Sequence, residues 1–140
     1  MNASVKLLET VLPATVALKA EIPEAHPSAQ ILGTERLGSG VLVDPDGLVL
    51  TVNYVVLGAT SLEVSLLDDS TVEGTVVAQD FATGLAVVQI PSSGLPALPL
   101  GSATQLGTGQ EIFIVAAAGE NQRRANNGTV TAVEPFDAYW

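Results

Sequence analysis

The sequence contains no cysteine, so disulfide bonds are excluded, although this absence does not identify a compartment. It also contains no run of 18 or more apolar residues, the length that a helix needs to cross a bilayer. The N-terminus lacks the basic region, apolar core and cleavage site of a secretory signal. The sequence as given is therefore expected to be soluble and untargeted, with a removed signal or anchor in the natural product left open.

Positive charge is scarce. The 140 residues include 5 Lys and Arg against 15 Asp and Glu, which gives a formal net charge of −10. Because such a chain repels phosphate backbones and anionic lipids, we expect neither nucleic acid nor a membrane surface as a partner. Charged residues make up 14% of the chain, compared with about 25% in average soluble domains, while hydrophobic residues reach 47%. This composition favours association with another protein or peptide.

Histidine occurs once, at His26, in a segment with prolines at positions 23 and 27. We interpret it as a solvated residue of a polar loop. Glu21 and Glu24 could form a catalytic dyad with it, but no motif fixes the geometry of such a pair.

Two pairs of acidic residues could indicate a two-carboxylate or metal site. Asp44 and Asp46 form one pair, and Asp68 and Asp69 form the other. Both pairs lie between apolar runs, where aspartate is favoured in turns for backbone reasons alone. We therefore expect no metal site and no cofactor.

The apolar pattern predicts one short helix and many strands. Residues 5–12 have helical spacing, with Asn2 or Ser4 as the cap and Pro13 as the stop. We expect this helix to pack one face on the sheet. Strands are predicted at residues 15–22, 41–43, 48–50, 61–67, 71–77, 85–90, 111–118 and 128–133. Closely spaced strands with turn signals between them indicate an all-β antiparallel barrel or sandwich.

Several motifs in order give a more specific expectation. Gly38-Ser39-Gly40 begins a segment that ends at Leu50 and is followed by Thr51-Val52-Asn53-Tyr54-Val55-Val56. Asp80-Phe81-Ala82-Thr83-Gly84-Leu85-Ala86 comes later. Over residues 7–133 this order resembles the chymotrypsin-like serine proteases, closest to their HtrA/Deg branch. The resemblance implies a first antiparallel β-barrel, the opening strands of a second barrel and a short N-terminal helix.

The resemblance also divides the chain. It implies an N-terminal helix and first barrel at residues 1–90, a linker at residues 91–100 and the start of an incomplete second barrel at residues 101–140. The proline and serine content of residues 91–99 is typical of a linker. Two strands alone do not close a barrel, so we expect self-association or a second polypeptide to complete it.

The positions that would carry the chemistry depart from the family pattern. Tyr54 stands where the resemblance places the catalytic histidine, and Gly84 stands where it places the aspartate. In the family, the serine nucleophile follows the segment that residues 128–133 of this chain resemble. We therefore expect the nucleophile to be absent from this chain. Tyrosine does not cycle protons near neutral pH as imidazole does, and glycine cannot orient a base. We expect the tyrosine ring to be packed into its cleft.

Three interpretations remain at this point. The first is a noncatalytic protease homologue that binds peptides or proteins by strand addition. The second is a fragment of a functional serine endopeptidase whose nucleophile lies outside this chain. The third is an unrelated small β-barrel. The resemblance alone suggests a periplasmic or other extracytoplasmic location.

Overall fold

The computed structural model describes residues 3–118 and 122–135. The chain begins with helix α1 (Ala3–Val11), followed by a 3₁₀ turn at Leu12–Ala14 that contains Pro13. Ser4, Leu8 and Val11 are half-buried at helical spacing, and no described residue of α1 is fully buried. The predicted helix is therefore confirmed, and it packs only shallowly. Ser4 was expected as a possible cap but lies within the helix, and the other candidate, Asn2, lies outside the described residues. Among the described residues, no helix combines the length and the apolar character needed to cross a membrane.

Seven strands form one antiparallel sheet in the order β5-β4-β1-β2-β3-β7-β6. Their bounds are β1 Thr15–Glu21, β2 Glu35–Asp44, β3 Leu48–Val52, β4 Ser61–Ser65, β5 Thr71–Glu73, β6 Thr75–Asp80 and β7 Leu85–Gln89. Two short helices lie in the connections, α2 at Ala29–Leu32 and α3 at Asn53–Val56. A last pair, β8 (Glu111–Ala117) and β9 (Arg123–Thr129), forms a separate two-stranded sheet.

The large sheet curls until its two edge strands meet. β5 and β6 are the edge strands, yet they are consecutive in the chain and separated only by Gly74, whose N–H donates to the Leu62 carbonyl at 2.8 Å. This arrangement differs from the single strand predicted at residues 71–77, because the chain bends at Gly74 and changes its pairing partner. The enclosed side is filled by fully buried aliphatic side chains, among them Val16, Leu18, Leu42, Val49, Val64 and Val88.

The β8–β9 hairpin is attached to the large sheet by polar contacts. The Ala117 N–H donates to Ser39 Oγ at 2.8 Å, and that hydroxyl donates to the Ala117 carbonyl at 3.3 Å. Arg123 Nε donates to the Thr15 carbonyl at 2.9 Å, and its Nη2 donates to the Ser65 carbonyl at 3.1 Å. The hairpin is thus held against β1, β2 and β4.

The last predicted strand was placed wrongly. Residues 128–133 were expected to form it, whereas the strand is Arg123–Thr129, and residues 131–133 have no regular secondary structure. The reason is register: Ala117 at the end of β8 pairs with Arg123, and Glu111 at its start already pairs with Thr129. The polar sequence of β9 gives no alternation from which this placement could be predicted.

The segment at residues 91–100 has no helix or strand, as a linker would. It nevertheless lies against the large sheet, because the Leu95 N–H donates to the Pro45 carbonyl at 3.1 Å and the Leu98 N–H donates to the Leu42 carbonyl at 2.8 Å. The proposed division of the chain at residues 90 and 100 remains a prediction.

Candidate functional site

Helix α3 carries Tyr54 at the end of β3. Val55 and Val56 are fully buried, and the helix packs close to β2 because Gly38 has no side chain: a Cβ there would lie 2.7 Å from Val55 Cγ2. This packing directs Tyr54 away from the core, and 56% of its surface is exposed. The expectation that its ring is packed into the cleft was therefore wrong.

Gly84 lies beside α3. It is buried, and its N–H donates to the Asp80 carbonyl at 2.8 Å within the turn between β6 and β7. Its φ of +78° lies in the left-handed region, which glycine adopts without steric cost. The Gly84 carbonyl accepts a hydrogen bond from the Asn53 N–H at 2.7 Å, so residues 54 and 84 are brought together. An aspartate at this position would be strained, although less so than most residues.

A buried amide lies between these two positions, and sequence reasoning missed it. Asn53 is buried, and its Oδ1 accepts a hydrogen bond from Gln79 Nε2 at 2.6 Å. Both groups are neutral amides, so they can fix the orientation of α3 against β6 but cannot act as a base. A signal was present in the sequence, because a single amide stood within an otherwise apolar run.

Arg36 holds the other end of α3 and was also missed. The residue is 4% exposed. Nη1 donates to the carbonyls of Tyr54 (2.8 Å) and Leu57 (2.9 Å), while Nη2 donates to Ser28 Oγ (2.7 Å) and the Gly33 carbonyl (3.4 Å). Burial lowers the pKa of Arg36 below its ordinary value. The residue caps the last carbonyls of α3 and joins the helix to the loop between β1 and β2.

His26 lies on this loop rather than at the cleft. Its Nδ1 is 2.7 Å from Ser28 Oγ and accepts a hydrogen bond from the Ser28 N–H at 3.1 Å. The ring packs against Gly58, where an added Cβ would lie 2.7 Å from three ring atoms. His26 is therefore half-buried and ordered by its neighbours, in contrast to the solvated residue that was expected. Its hydrogen-bond partner is Ser28, so the proposed dyad with Glu21 or Glu24 is not supported.

The acidic pairs lie in turns, as predicted. Asp44 Oδ1 accepts a hydrogen bond from the Asp46 N–H at 2.8 Å, and Asp68 Oδ1 accepts one from the Ser70 N–H at 3.0 Å. The Ser70 hydroxyl also donates to Asp68, and these bonds lower the pKa of the Asp68 carboxyl. Within residues 3–118 and 122–135, no three His, Asp or Glu side chains are grouped so that they could hold a metal ion.

An apolar groove of about 360 Å³ lies next to Tyr54 and Gly84, between the large sheet and β8. Val52, which ends β3, and Leu85, which begins β7, form the end of the groove nearest these residues. Phe113 and Val115 of β8 form the opposite wall. No charged residue is among the described residues that line it. The remaining lining residues are Val11, Thr15, Ser39, Gly40, Val41, Leu50 and Thr51.

The edge of β8 that faces away from β9 is bonded to Ser39 at Ala117 and, among the described residues, is open at Phe113 and Val115. The Ala118 N–H donates to the Gln122 carbonyl and the Val130 N–H donates to the Gln110 carbonyl, so even-numbered residues of β8 point their backbone groups toward β9. The odd-numbered residues point outward, as the bond from Ala117 to Ser39 illustrates. In the part of the chain that the structure describes, no partner is bonded to the outward groups of Phe113 and Val115.

Comparison with known proteins gives a consistent result. Residues 38–139 match the family model of the "Trypsin-like peptidase domain". A "Probable periplasmic serine endoprotease DegP-like" from Halomonas elongata is 32% identical over 118 residues, which cover 81% of this chain and 25% of that protein. The corresponding protein of Pseudomonas savastanoi pv. phaseolicola is 32% identical over 99 residues, covering 71% of this chain and 21% of the relative.

A solved structure agrees with these sequence matches. The chain described as "HtrA-type protease AlgWS227A with tripeptide" superposes with a TM-score of 0.81 and 25% identity, over 94% of this chain and 40% of that one. The chain therefore spans about a fifth to a quarter of the length of these curated relatives and two fifths of the solved chain. The fold expected from the sequence, with its curled antiparallel sheet and short N-terminal helix, is confirmed.

Proposed function

Because the chain belongs to the HtrA-type branch of the trypsin-like serine proteases, we propose that it is a noncatalytic member that binds peptide or protein segments in the groove beside Tyr54. The observation that supports this most is the proximity of Tyr54 and Gly84, the two residues that the resemblance aligns with the family's catalytic positions. Tyr54 and Gly84 lie side by side, joined through the hydrogen bond between Asn53 and Gly84. The fold brings these two positions together, and neither a tyrosine nor a glycine can perform the chemistry of a catalytic histidine and aspartate.

Acyl transfer by a serine needs a base that accepts the hydroxyl proton and an acid that orients this base. Tyr54 is a poor proton acceptor at neutral pH, and Gly84 has no side chain. His26 cannot substitute, because it lies on the loop between β1 and β2, away from the groove, with its ring packed against Gly58. Loss of one triad member lowers turnover by roughly four to six orders of magnitude, and the members act as a unit. The combined losses leave no mechanism of this type.

The binding part of the proposal depends on β8. Its outward N–H and C=O groups at Phe113 and Val115 can pair with an extended segment, and the uncharged groove beside them can accept that segment's apolar side chains. The similar HtrA-type structure was determined with a tripeptide. Since this chain covers only 40% of that one, the proposal relies on the open edge of β8 rather than on the relative's ligand.

A second candidate is a fragment of a functional serine endopeptidase whose nucleophile lies outside this chain. It is favoured by the short share of each relative that the chain covers, 21% and 25% for the two DegP-like proteins. In this case other groups would have to supply the base and the orienting acid that are missing at Tyr54 and Gly84. Both proposals include a periplasmic location, which is the location stated in the names of these relatives.

Peptidase activity distinguishes the two candidates. The protein is isolated from its natural source and treated with a fluorophosphonate probe, which labels activated serines. It is also assayed for cleavage of an unstructured protein substrate. We expect no labelling and no cleavage. Labelling of a serine outside residues 1–140, with cleavage, would establish the endopeptidase instead. The variant Tyr54→His with Gly84→Asp tests for an eroded protease, because cleavage that appears only in this variant would show that the remaining machinery is intact.

Binding is tested separately with a library of extended peptides and the variant Val115→Pro. Proline removes the outward N–H at this position, and edge strands tolerate it. We expect the peptides selected by the protein to lose at least tenfold in affinity for Val115→Pro and to keep it for the matched variant Val115→Ala, which retains the N–H; tenfold corresponds to about 1.4 kcal/mol. Equal affinity for both variants would argue against strand addition to β8.

A further inference from the structure

A second pocket shares no lining residue with the groove beside Tyr54. Its volume is about 420 Å³, within the range of pockets that hold small organic molecules. It lies where the segment at residues 91–100 and the turn after β4 approach each other. Its apolar wall is formed by Pro13, Leu42, Leu66, Leu67, Leu95 and Pro96.

Backbone hydrogen bonds fix the walls of this pocket. Leu42 is fully buried, and its carbonyl accepts the Leu98 N–H, which keeps the 91–100 segment against β2. The bond from the Leu95 N–H to the Pro45 carbonyl anchors the same segment three residues earlier. On the opposite side, the Leu66 N–H donates to the Ser70 carbonyl at 2.8 Å and closes the turn after β4. The pocket is thus part of the folded sheet and does not require a ligand to form.

Asp68 is the charged residue among the described residues that line the pocket. Its Oδ1 accepts hydrogen bonds from the N–H of Ser70 at 3.0 Å and from the Ser70 hydroxyl at 2.5 Å. These bonds lower the pKa of the carboxyl, so it is ionised at neutral pH. Within the described part of the chain, Oδ2 of Asp68 has no hydrogen-bond partner and can receive one from a ligand.

We propose that this pocket binds a small amphipathic organic cation, whose apolar body contacts the leucine and proline side chains and whose ammonium group pairs with Asp68. The apolar wall supplies the affinity, because burying a hydrocarbon group removes it from water. The carboxylate supplies the selectivity, since an ammonium can pair with it, an alcohol gains less and an anion is repelled. The net charge of −10 adds a long-range attraction for cations. This site is independent of the function proposed for the groove.

The test uses three probes of similar shape: 2-phenylethylamine, 2-phenylethanol and 3-phenylpropanoate. Each is titrated into the ¹⁵N-labelled protein, and amide chemical shifts are followed. We expect the amine to bind most tightly and the carboxylate least, with the largest shifts at residues 66–70 and at Leu95. Because Asp68 is exposed, the Asp68→Asn variant should weaken amine binding by only about twofold to fivefold, to the level of the alcohol. Added salt should have the same effect.

Asp44→Asn is the matched control. Asp44 makes the same bond to the N–H two residues later, at 2.8 Å, but does not line the pocket. We expect this variant to keep the preference for the amine. The Leu95→Trp variant, which fills the pocket, should weaken binding of all three probes. Three outcomes would overturn the proposal: equal affinity for the three probes, shifts confined to other residues, or no shifts at millimolar amine. Spectral dispersion like that of the unaltered protein verifies that each variant is folded.

Discussion

At the residue scale, the position of Tyr54 depends on the buried side chain of Arg36. Helix α3 has four residues, too few to be stable by itself, and its last carbonyls need partners. Arg36 supplies them from β2 with two bonds from one nitrogen. Its remaining partners, Ser28 and Gly33, belong to the loop that also contains His26. A single buried side chain therefore positions both the helix that carries Tyr54 and the loop that contains His26.

Replacing Arg36 with methionine tests this role. Methionine preserves much of the apolar stem but leaves the carbonyls of Tyr54 and Leu57 without these donors. Since a buried polar group that loses its partner costs about 1–3 kcal/mol, we expect the free energy of unfolding to fall by roughly 2–3 kcal/mol. The Leu57 N–H, bonded to the Asn53 carbonyl at 2.8 Å, should exchange with solvent faster.

Urea unfolding and amide hydrogen exchange measure these two effects. Lys19→Met, on the partly exposed face of β1, is the control and should change neither by much. If Arg36→Met retained the stability and the Leu57 protection of the unaltered protein, then the guanidinium would not be what holds α3.

At the element scale, the strands with clear turn signals were predictable and those without were not. The β2–β3 hairpin follows from the turn at residues 44–47, where Gly47 has a φ of +98° and its N–H donates to the Asp44 carbonyl. β9 is different, because its sequence is polar and its place is set by pairing with β8 rather than by its own pattern. Likewise, the division of residues 71–80 into β5 and β6 depends on partners that are distant in sequence.

The attachment of the β8–β9 hairpin depends on Arg123. Its guanidinium donates to carbonyls of β1 and β4, and burial lowers its pKa while the nearby charge of Asp69 partly opposes this effect. We expect Arg123→Met to reduce the protection of β8 and β9 amides from hydrogen exchange, by up to about 1–2 kcal/mol in local stability, while the large sheet is unchanged. A loss of protection confined to β8 and β9 would show that the hairpin opens separately from the large sheet.

Arg124, the exposed neighbour on the same strand, provides the control for this experiment. Arg124→Met removes the same charge without removing a contact to the large sheet, so β8 and β9 should keep their protection. A uniform loss of protection over both sheets in Arg123→Met would instead indicate that hairpin and sheet unfold as one unit.

At the scale of the whole molecule, the sequence predicted which residues to compare but not their surroundings. The order of motifs aligns Tyr54 and Gly84 with the family's catalytic positions, and this alignment remains a prediction. Their proximity comes from the pairing of β3 with β7, in which Val52 is opposite Leu85. The amide of Asn53, the capping role of Arg36 and the open edge of β8 involve contacts between distant segments, and no local pattern encodes them. Tyr54 was expected to be packed because ring area favours burial, whereas α3 directs its valines inward instead.

The molecule also has apolar surface that a monomer leaves in water. Ile114 on β8 is 63% exposed, and the groove beside Tyr54 is lined by uncharged residues. Exposed apolar surface next to an unpaired strand edge favours association. We therefore expect native mass spectrometry at micromolar protein to show multiples of 14.3 kDa, or a complex with a second polypeptide that purifies with the chain.

If the edge of β8 mediates this association, Val115→Pro should shift the population toward the 14.3 kDa monomer, because the outward N–H at this position is lost. Ile31→Ser is the control, since Ile31 is 86% exposed but lies on α2, away from the hairpin. It should leave the assembly intact. A protein that is monomeric before any substitution and binds little hydrophobic dye would contradict the expectation, because the open edge would then be stable in water without a partner.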